Sequence, residues 1–214
     1  MENFTTDHRY TDIVEKSKKL FGKYGFKSIS MDDIARELGV SKKTLYQYVK
    51  NKADLIQKTF ELDLFRLKSW VSEIIVLELN AIEEFLVMCK YIEKDFDHFD
   101  PAVIYDLQKY YPSLYKSHME EKQQFVYTHI RNNILKGMRE GLYRDDLDAD
   151  LIAGLYIKKM IALHSNDLEF LKNLTFEKIF EVMIENHIRA ISNPAGIVFF
   201  EQHKQNYQQQ EPTA

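Results

Sequence analysis

Cysteine is almost missing from this chain, and several other residue types are scarce. The 214 residues contain one cysteine, Cys89, so no internal disulfide can form. Glycine and proline number only 7 and 4, which disfavours turn-rich β architectures. The sequence has no zinc-type spacing of Cys and His, no apolar run near the roughly 18 residues that span a bilayer, and no secretory signal pattern. We therefore expect a soluble, cytoplasmic protein that binds no metal, no cofactor and no membrane.

Charge is distributed unevenly along an otherwise ordinary globular composition of 45% hydrophobic and 29% charged residues. Residues 1–60 contain 12 Lys and Arg against 8 Asp and Glu, whereas residues 61–214 contain 17 against 25. A basic head on an acidic body favours a polyanion-binding module in the first 60 residues. An excess of four charges also fits ordinary surface variation.

Helical periodicity runs through almost the whole chain and predicts an all-α fold of about nine helices, or one more. In chain order, one ends at Gly25 and the others cover about 31–38, 41–48, 52–77, 81–96, 101–111, 113–140, 148–166 and 175–192. The β-branched stretch 73–77 could form a strand, but its neighbours carry the helical period and we predict helix. After Pro194 we expect a short apolar patch, 196–200, and a frayed Gln-rich end.

The stretch 31–48 has the pattern of a helix-turn-helix, in which two short helices pack at a steep angle. Ala35 is small enough for the contact between the helices, and Gly39 tolerates the positive φ of a sharp turn. The apolar anchors of the motif are Ile34, Leu38, Val40, Leu45 and Tyr48. The alternative is a plain helical hairpin with a solvated basic face.

Residues 10–56 resemble the N-terminal DNA-binding domain of the TetR family of bacterial transcriptional regulators. The segments 20–26, 30–35, 39–46 and 49–52 carry the resemblance, and Leu55 closes it. The chain departs from the family pattern at Tyr48 and Val49, where His and Phe are frequent. The resemblance implies a helix-turn-helix DNA-binding domain over 1–52 and a larger helical effector-binding and dimerisation domain over 53–214. It also implies a repressor that a small, mostly hydrophobic molecule releases from its operator.

The second helix of such a motif enters the major groove of double-stranded DNA with its N-terminal residues nearest the base edges. Lys42 and Lys43 can donate to guanine, and Gln47 can pair with an adenine edge. The predicted DNA-binding residues are Ser30, Ser41, Lys42, Lys43, Thr44, Tyr46, Gln47, Tyr48 and Lys52.

The predicted contacts differ in kind. Thr44 can touch a thymine methyl or a phosphate, whereas Tyr46, Tyr48 and Lys52 are better placed for the DNA backbone. Ser30 is expected to cap its helix, whose free backbone donors could also reach a phosphate. A solvated surface remains the alternative for the two lysines of the second helix, and core packing remains the alternative for Tyr46.

Useful operator specificity needs two reading units about one helical turn apart, which predicts a homodimer on a near-palindromic site. The last two long predicted helices are the candidates for the contact, and the family resemblance implies a four-helix bundle between subunits. The candidate residues are Leu151, Leu155, Lys158, Lys159 and Met160 in the first helix, and Phe176, Ile179, Phe180, Met183, Ile184, His187 and Ile191 in the second. An intramolecular core is the alternative for each of them.

Aromatic and methionine residues are frequent in the second domain, which suits an apolar pocket. The predicted binding residues for an unidentified small-molecule effector are Phe65, Phe85, Met88, Tyr105, Tyr110, Tyr127, Tyr156 and His164. A well-filled helical core has the same composition, so the pocket prediction rests on the family resemblance.

No catalytic motif is visible, and we predict no catalytic residue and no enzyme activity. The main alternative function is a helix-turn-helix protein with an architectural or chromosome-maintenance role and no effector. An enclosed apolar cavity would favour the effector-binding regulator, whereas a solid core would favour the architectural protein. A helical adaptor that has lost DNA binding is a further alternative.

Overall fold

The computed structural model describes residues 7–96, 101–164 and 173–209, and within these ranges it contains ten α-helices and no β-strand. They are α1 His8–Tyr24, α2 Met31–Glu37, α3 Lys42–Tyr48, α4 Lys52–Val76, α5 Ala81–Phe96, α6 Pro101–Tyr110, α7 Pro112–Arg139, α8 Ala149–His164, α9 Phe176–Ile191 and α10 Pro194–Gln209. The predicted all-α fold is confirmed. Among the described residues, no helix has both the length and the apolar character needed to cross a membrane.

Helix boundaries follow the predicted capping signals closely. α1 ends at Tyr24 and is capped by Gly25. Thr175 accepts a hydrogen bond from the Lys178 N–H at the start of α9. α4 stays helical through residue 76, so the β-branched stretch is not a strand, and Glu78 then turns the chain with a φ of +50°. The fifth helix ends at residue 96, as predicted, whereas the predicted end of the eighth helix, at 165–166, lies outside the described residues.

The tail after Pro194 forms a tenth helix, as the prediction of nine helices or one more allows. The predicted apolar patch 196–200 lies within this helix, which extends into the Gln-rich segment as far as Gln209, and the last residues of the predicted frayed end lie outside the described residues. Asn193 caps α10, because its Oδ1 accepts the Gly196 N–H at 3.0 Å. The same side chain donates to the carbonyl of Gly141 at 2.8 Å. Phe200 is buried in the neighbouring hydrophobic core, which holds the helix in place.

The chain divides into two compact units, each with its own core. The first contains the described parts of Met1–Trp70 and His98–Lys122, and the second contains those of Val71–Asp97 and Gln123–Ala214. The boundary between the two packed units is therefore not at residue 52. The division into a DNA-binding domain over 1–52 and an effector-binding and dimerisation domain over 53–214 remains a prediction.

The core of the first unit lies under the helix-turn-helix and includes residues of α6. The rings of Phe21 and Phe26 stack with their centroids 5.0 Å apart. Ile34 of α2 and Leu45 of α3 are fully buried against this core, and Val103 of α6 joins it. The helix-turn-helix is thus fixed to its support by apolar burial.

The second unit combines a large apolar core with a buried polar network. Asn133 of α7 donates to the carbonyl of Ala81 at 2.8 Å and accepts from the hydroxyl of Tyr143 at 3.2 Å. Lys136, one turn later, forms an ion pair with Glu84 at 2.6 Å. These partners satisfy groups whose burial would otherwise be costly, and they tie α7 to the start of α5.

Candidate nucleic-acid interface

The turn between α2 and α3 is built from local signals. Ser30 and Asp33 form a capping box, in which Ser30 Oγ accepts the Asp33 N–H at 3.1 Å. Gly39 has a φ of +66°, and the Val40 N–H donates to the carbonyl of Ala35 at 3.0 Å. The predicted glycine corner is confirmed, and it redirects the chain into α3.

α3 has one anchored face and one exposed face. Ser41 caps it by accepting the Thr44 N–H at 3.0 Å, and Leu45 is fully buried. The half-buried Tyr48 packs near Tyr10, with ring centroids 6.2 Å apart. The exposed residues at this helix are Ser41, Lys42, Lys43, Tyr46 and Gln47, while Thr44 is half-buried. The structure therefore brings most of the predicted base-facing residues together on one short helix.

The two lysines at the start of α3 differ in their surroundings. Lys42 Nζ lies 2.7 Å from Asp32 Oδ1, and hydrogen bonding to this carboxylate raises the pKa of Lys42. Within the described residues Lys43 is exposed and forms no ion pair. Lys43 can thus contact another molecule without breaking an ion pair, whereas Lys42 would first have to exchange its carboxylate partner.

Other predicted backbone contacts are already engaged within the protein. Ser30 accepts the Asp33 N–H at 3.1 Å, which confirms its capping role, and its hydroxyl also donates to Asp33 Oδ2 at 2.6 Å. Lys52 Nζ donates to the carbonyl of Lys27 at 3.3 Å, and partial burial lowers the pKa of Lys52. The sequence analysis did not name Lys27, whose carbonyl accepts this bond. It is a lysine of the basic head and lies three residues before the helix cap Ser30.

The predicted effector residues belong to both units and differ in burial. Phe85, Met88 and Tyr156 lie in the core of the second unit. Tyr127 is half-buried there, with its hydroxyl 2.7 Å from Asp150. Phe65 is a half-buried residue of the first unit, and the side chain of His164 lies outside the described part of the chain.

Tyr105 and Tyr110 correct the prediction of an aromatic interior. They are 59% and 38% exposed, so neither side chain is buried in the interior. For Tyr105 the physical reason is the orientation of α6, which packs through Val103 and Leu107, one helical turn apart. Tyr105 follows Val103 by two positions and so projects from the opposite side.

The predicted dimer residues also separate into two groups. Leu151 and Leu155 of α8 are 58% and 51% exposed, and Lys158 and Lys159 are exposed on the same helix. In contrast, the intramolecular core explains the buried members, which are Met160, Phe180, Met183, His187 and Ile191. Phe176, Ile179 and Ile184 are half-buried.

Among the described residues, no three His, Cys, Asp or Glu side chains are grouped in a way that could hold a metal ion.

Comparison with known proteins supports the sequence resemblance. Residues 13–59 match the profile of the bacterial regulatory proteins, tetR family. An HTH-type transcriptional regulator of Staphylococcus aureus (strain USA300) is 44% identical over 52 residues, which span 24% of this chain and 28% of that protein. The chain thus covers little more than a quarter of the length of these curated relatives.

Solved structures extend the similarity of fold to most of the chain. A TetR-family regulator from Cytophaga hutchinsonii has a TM-score of 0.65 at 19% identity, covering 88% of this chain and 96% of that one. A regulator from Saccharomonospora viridis, solved in complex with choline, has a TM-score of 0.70 at 16% identity, covering 86% and 97%. Both neighbours are described as transcriptional regulators, and at such identities the likeness establishes the fold alone.

Proposed function

We propose that this chain, whose residues 13–59 form a TetR-family DNA-binding domain, is a ligand-responsive transcriptional regulator. It binds a near-palindromic operator as a homodimer and acts as a repressor. A small, mostly hydrophobic effector releases it from the DNA.

The exposed face of α3 is the observation that carries this proposal. Leu45 fixes the helix to the core, while Lys43 and Gln47 extend from it without burial. A lysine can donate to guanine O6 and N7, and a glutamine can form two hydrogen bonds with adenine. An α-helix that presents such groups fits the width of the major groove.

Replacing Lys43 with alanine tests the recognition helix directly. We expect roughly tenfold weaker binding to a duplex selected by the wild-type protein from a random pool, since a good base contact contributes about 1–3 kcal/mol. If Lys43 contacts only phosphate, affinity should fall on all sequences and the salt slope should fall by about one. Fluorescence anisotropy at several salt concentrations distinguishes these cases.

The matched control for Lys43→Ala is Arg139→Ala, which removes one positive charge from an exposed position in the second unit, away from the helices of the proposed dimer contact. Lys42→Ala is expected to weaken binding less, because Asp32 already holds that ammonium. Wild-type affinity in both Lys42→Ala and Lys43→Ala would contradict the assignment of α3 to the groove.

Dimerisation is assigned to the exposed apolar face of α8, with α9 as its neighbour in the proposed bundle. The double variant Leu151→Glu with Leu155→Glu is expected to be monomeric at concentrations where the wild type is a dimer. Burying unpaired charge at a helix contact is costly, so we expect at least about a tenfold loss of dimer affinity. Sedimentation measures this, and duplex binding should weaken with it.

Val198→Glu is the control for the α8 variant, because Val198 is an equally exposed apolar residue on α10 of the same unit. It should leave the dimer intact. If the double variant stayed dimeric, or if Val198→Glu lost as much dimer affinity as the double variant, the subunit contact would lie elsewhere.

The effector site is assigned to the aromatic centre of the second unit. The His187 ring centroid lies 5.0 Å from that of Phe85 and 4.8 Å from that of Tyr156. Cys89 Sγ is 3.9 Å from the Tyr156 hydroxyl. Flat apolar faces with a few polar atoms suit a mostly hydrophobic ligand. Release follows only if the ligand binds the DNA-incompetent arrangement more tightly than the competent one.

The alternative function is an architectural or chromosome-maintenance protein that binds DNA without an effector. The mutual contacts of Phe85, Tyr156 and His187 favour it, because they fill space that a ligand would need. Duplex binding measured across a panel of hydrophobic compounds separates the two. A compound that lowers affinity supports the regulator, and constant affinity across the panel supports the alternative.

A further inference from the structure

Exposed tyrosines and lysines meet on the surface of the first unit, and all but one of them lie on α6, outside the segment that matches the family profile. The lysine–tyrosine patch consists of Lys27 in the loop before α2 and of Tyr105, Lys109 and Tyr110 on α6. Lys27 Nζ lies 4.8 Å from the ring centroid of Tyr110. Lys109 Nζ lies 5.4 Å from the centroid of Tyr105 and 5.6 Å from that of Tyr110.

The packing of α6 explains why Tyr105 and Lys109 face solvent. Val103 and Leu107 are buried in the core of the first unit. Tyr105 and Lys109 are one turn apart on the other side of the helix, and both are exposed. The two ammonium groups lie over aromatic rings, an arrangement that orders the lysines while leaving their charge accessible.

The patch is continuous with the predicted DNA-binding surface. Lys52, which we expect at the DNA backbone, donates to the carbonyl of Lys27 at 3.3 Å. Hydrogen bonding to Tyr110 raises the pKa of Lys27, so this lysine stays fully charged. Asp106 acts on both Lys27 and Lys52, and Asp33 also acts on Lys52, so these two lysines share two carboxylates, while Lys109 adds a further positive charge to the patch.

We propose that the lysine–tyrosine patch binds phosphates of the DNA backbone next to those held by the helix-turn-helix. Lysine ammonium groups supply the charge, and tyrosine hydroxyls donate hydrogen bonds to phosphate oxygens. This adds α6, which lies outside residues 13–59, to the DNA-binding surface and rests on the proposed function. Contacts of this kind raise affinity on every sequence and read no bases.

The test is Lys109→Gln in the full chain, with a 30-base-pair duplex of random sequence as the probe. We expect weaker binding and a salt slope lower by about one, because one phosphate contact is lost. The ratio of wild-type to variant affinity should then shrink about threefold between 50 and 200 mM salt. Tyr110→Phe keeps the ring but loses the hydroxyl, so it should weaken binding without changing the slope.

Arg139→Gln provides the control, since it makes the same change in net charge at an exposed position of the second unit that is outside the proposed dimer helices. An equal loss in Arg139→Gln would overturn the patch, because net charge alone would then explain the effect. Wild-type affinity and slope in both Lys109→Gln and Tyr110→Phe would also overturn it. If Lys43→Ala still weakens binding, the proposed regulator survives that result. A wild-type chain that binds no duplex at 50 mM salt would end both proposals.

Discussion

Lowering the pH from 7 to about 4 is expected to destabilise each of the two units by about 3 kcal/mol, because each contains a histidine that burial keeps neutral. His118 in the first unit stacks on Phe60 with ring centroids 4.3 Å apart. Burial, aided by Lys122 and Lys18, lowers its pKa to about 4. His187 in the second unit is 5% exposed, and burial aided by Lys159 likewise lowers its pKa to about 4.

The direction of the pH effect follows from proton binding. In the unfolded chain a histidine takes up its proton near pH 6.5, whereas His118 and His187 in the folded chain resist it down to about pH 4. Between these values the unfolded state binds more protons, so the free energy of unfolding falls as the pH falls. The contribution is complete above pH 6.5 and is lost by about pH 4.

Urea unfolding at a series of pH values measures this effect, with His118→Gln and His187→Gln as variants. Glutamine has no proton to gain, so each variant should lose its part of the slope between pH 6.5 and 4. Carboxylates also titrate in the acid range, and the difference between variant and wild type removes their contribution. An unchanged slope in both variants would show that these imidazoles are not held neutral in the folded protein.

Local signals explain why the helix-turn-helix could be predicted from sequence. Gly39 is needed where the chain turns with a positive φ, and Ser30 and Ser41 precede helices whose first N–H groups need acceptors. Each of these requirements is met within three residues along the chain. Burial of Leu45 follows from the same short-range pattern. The exposed face of α3 was therefore visible before any tertiary contact was known.

For the aromatic residues, the sequence did not distinguish exposed side chains from buried ones. Tyr105 and Tyr156 look alike in sequence, yet one is 59% exposed and the other is buried, because the helices that carry them pack in different directions. The lysine–tyrosine patch was missed for the same reason, since Lys27 and Lys109 are 82 positions apart. α10 had a readable signal, because Asn193 before Pro194 repeats the cap-and-proline pattern of Asp100 before Pro101.

Replacing Gly137 with alanine is expected to destabilise the second unit by about 2 kcal/mol, although alanine is the better helix former. A Cβ at this position would overlap three ring carbons of Tyr143, with only 2.6 Å to Cγ. The ring cannot move easily, because Tyr143 is 2% exposed and its hydroxyl donates to the buried Asn133. The Tyr143 N–H also donates to the carbonyl of Gly137 at 3.0 Å, which fixes the two backbones together.

Gly154→Ala is the matched control for Gly137→Ala, because Gly154 lies within α8 and an added Cβ would meet no described atom of its own chain within 4 Å. Both glycine variants are made in the Leu151→Glu, Leu155→Glu background, so that the proposed subunit contact on α8 does not contribute. Gly154→Ala should gain up to about 1 kcal/mol from helix propensity alone. Thermal or urea unfolding should therefore move the two glycine variants in opposite directions. If Gly137→Ala were as stable as Gly154→Ala, the Tyr143 ring could not lie against α7. In that case the hydrogen bond from the Tyr143 hydroxyl to Asn133 could not form either.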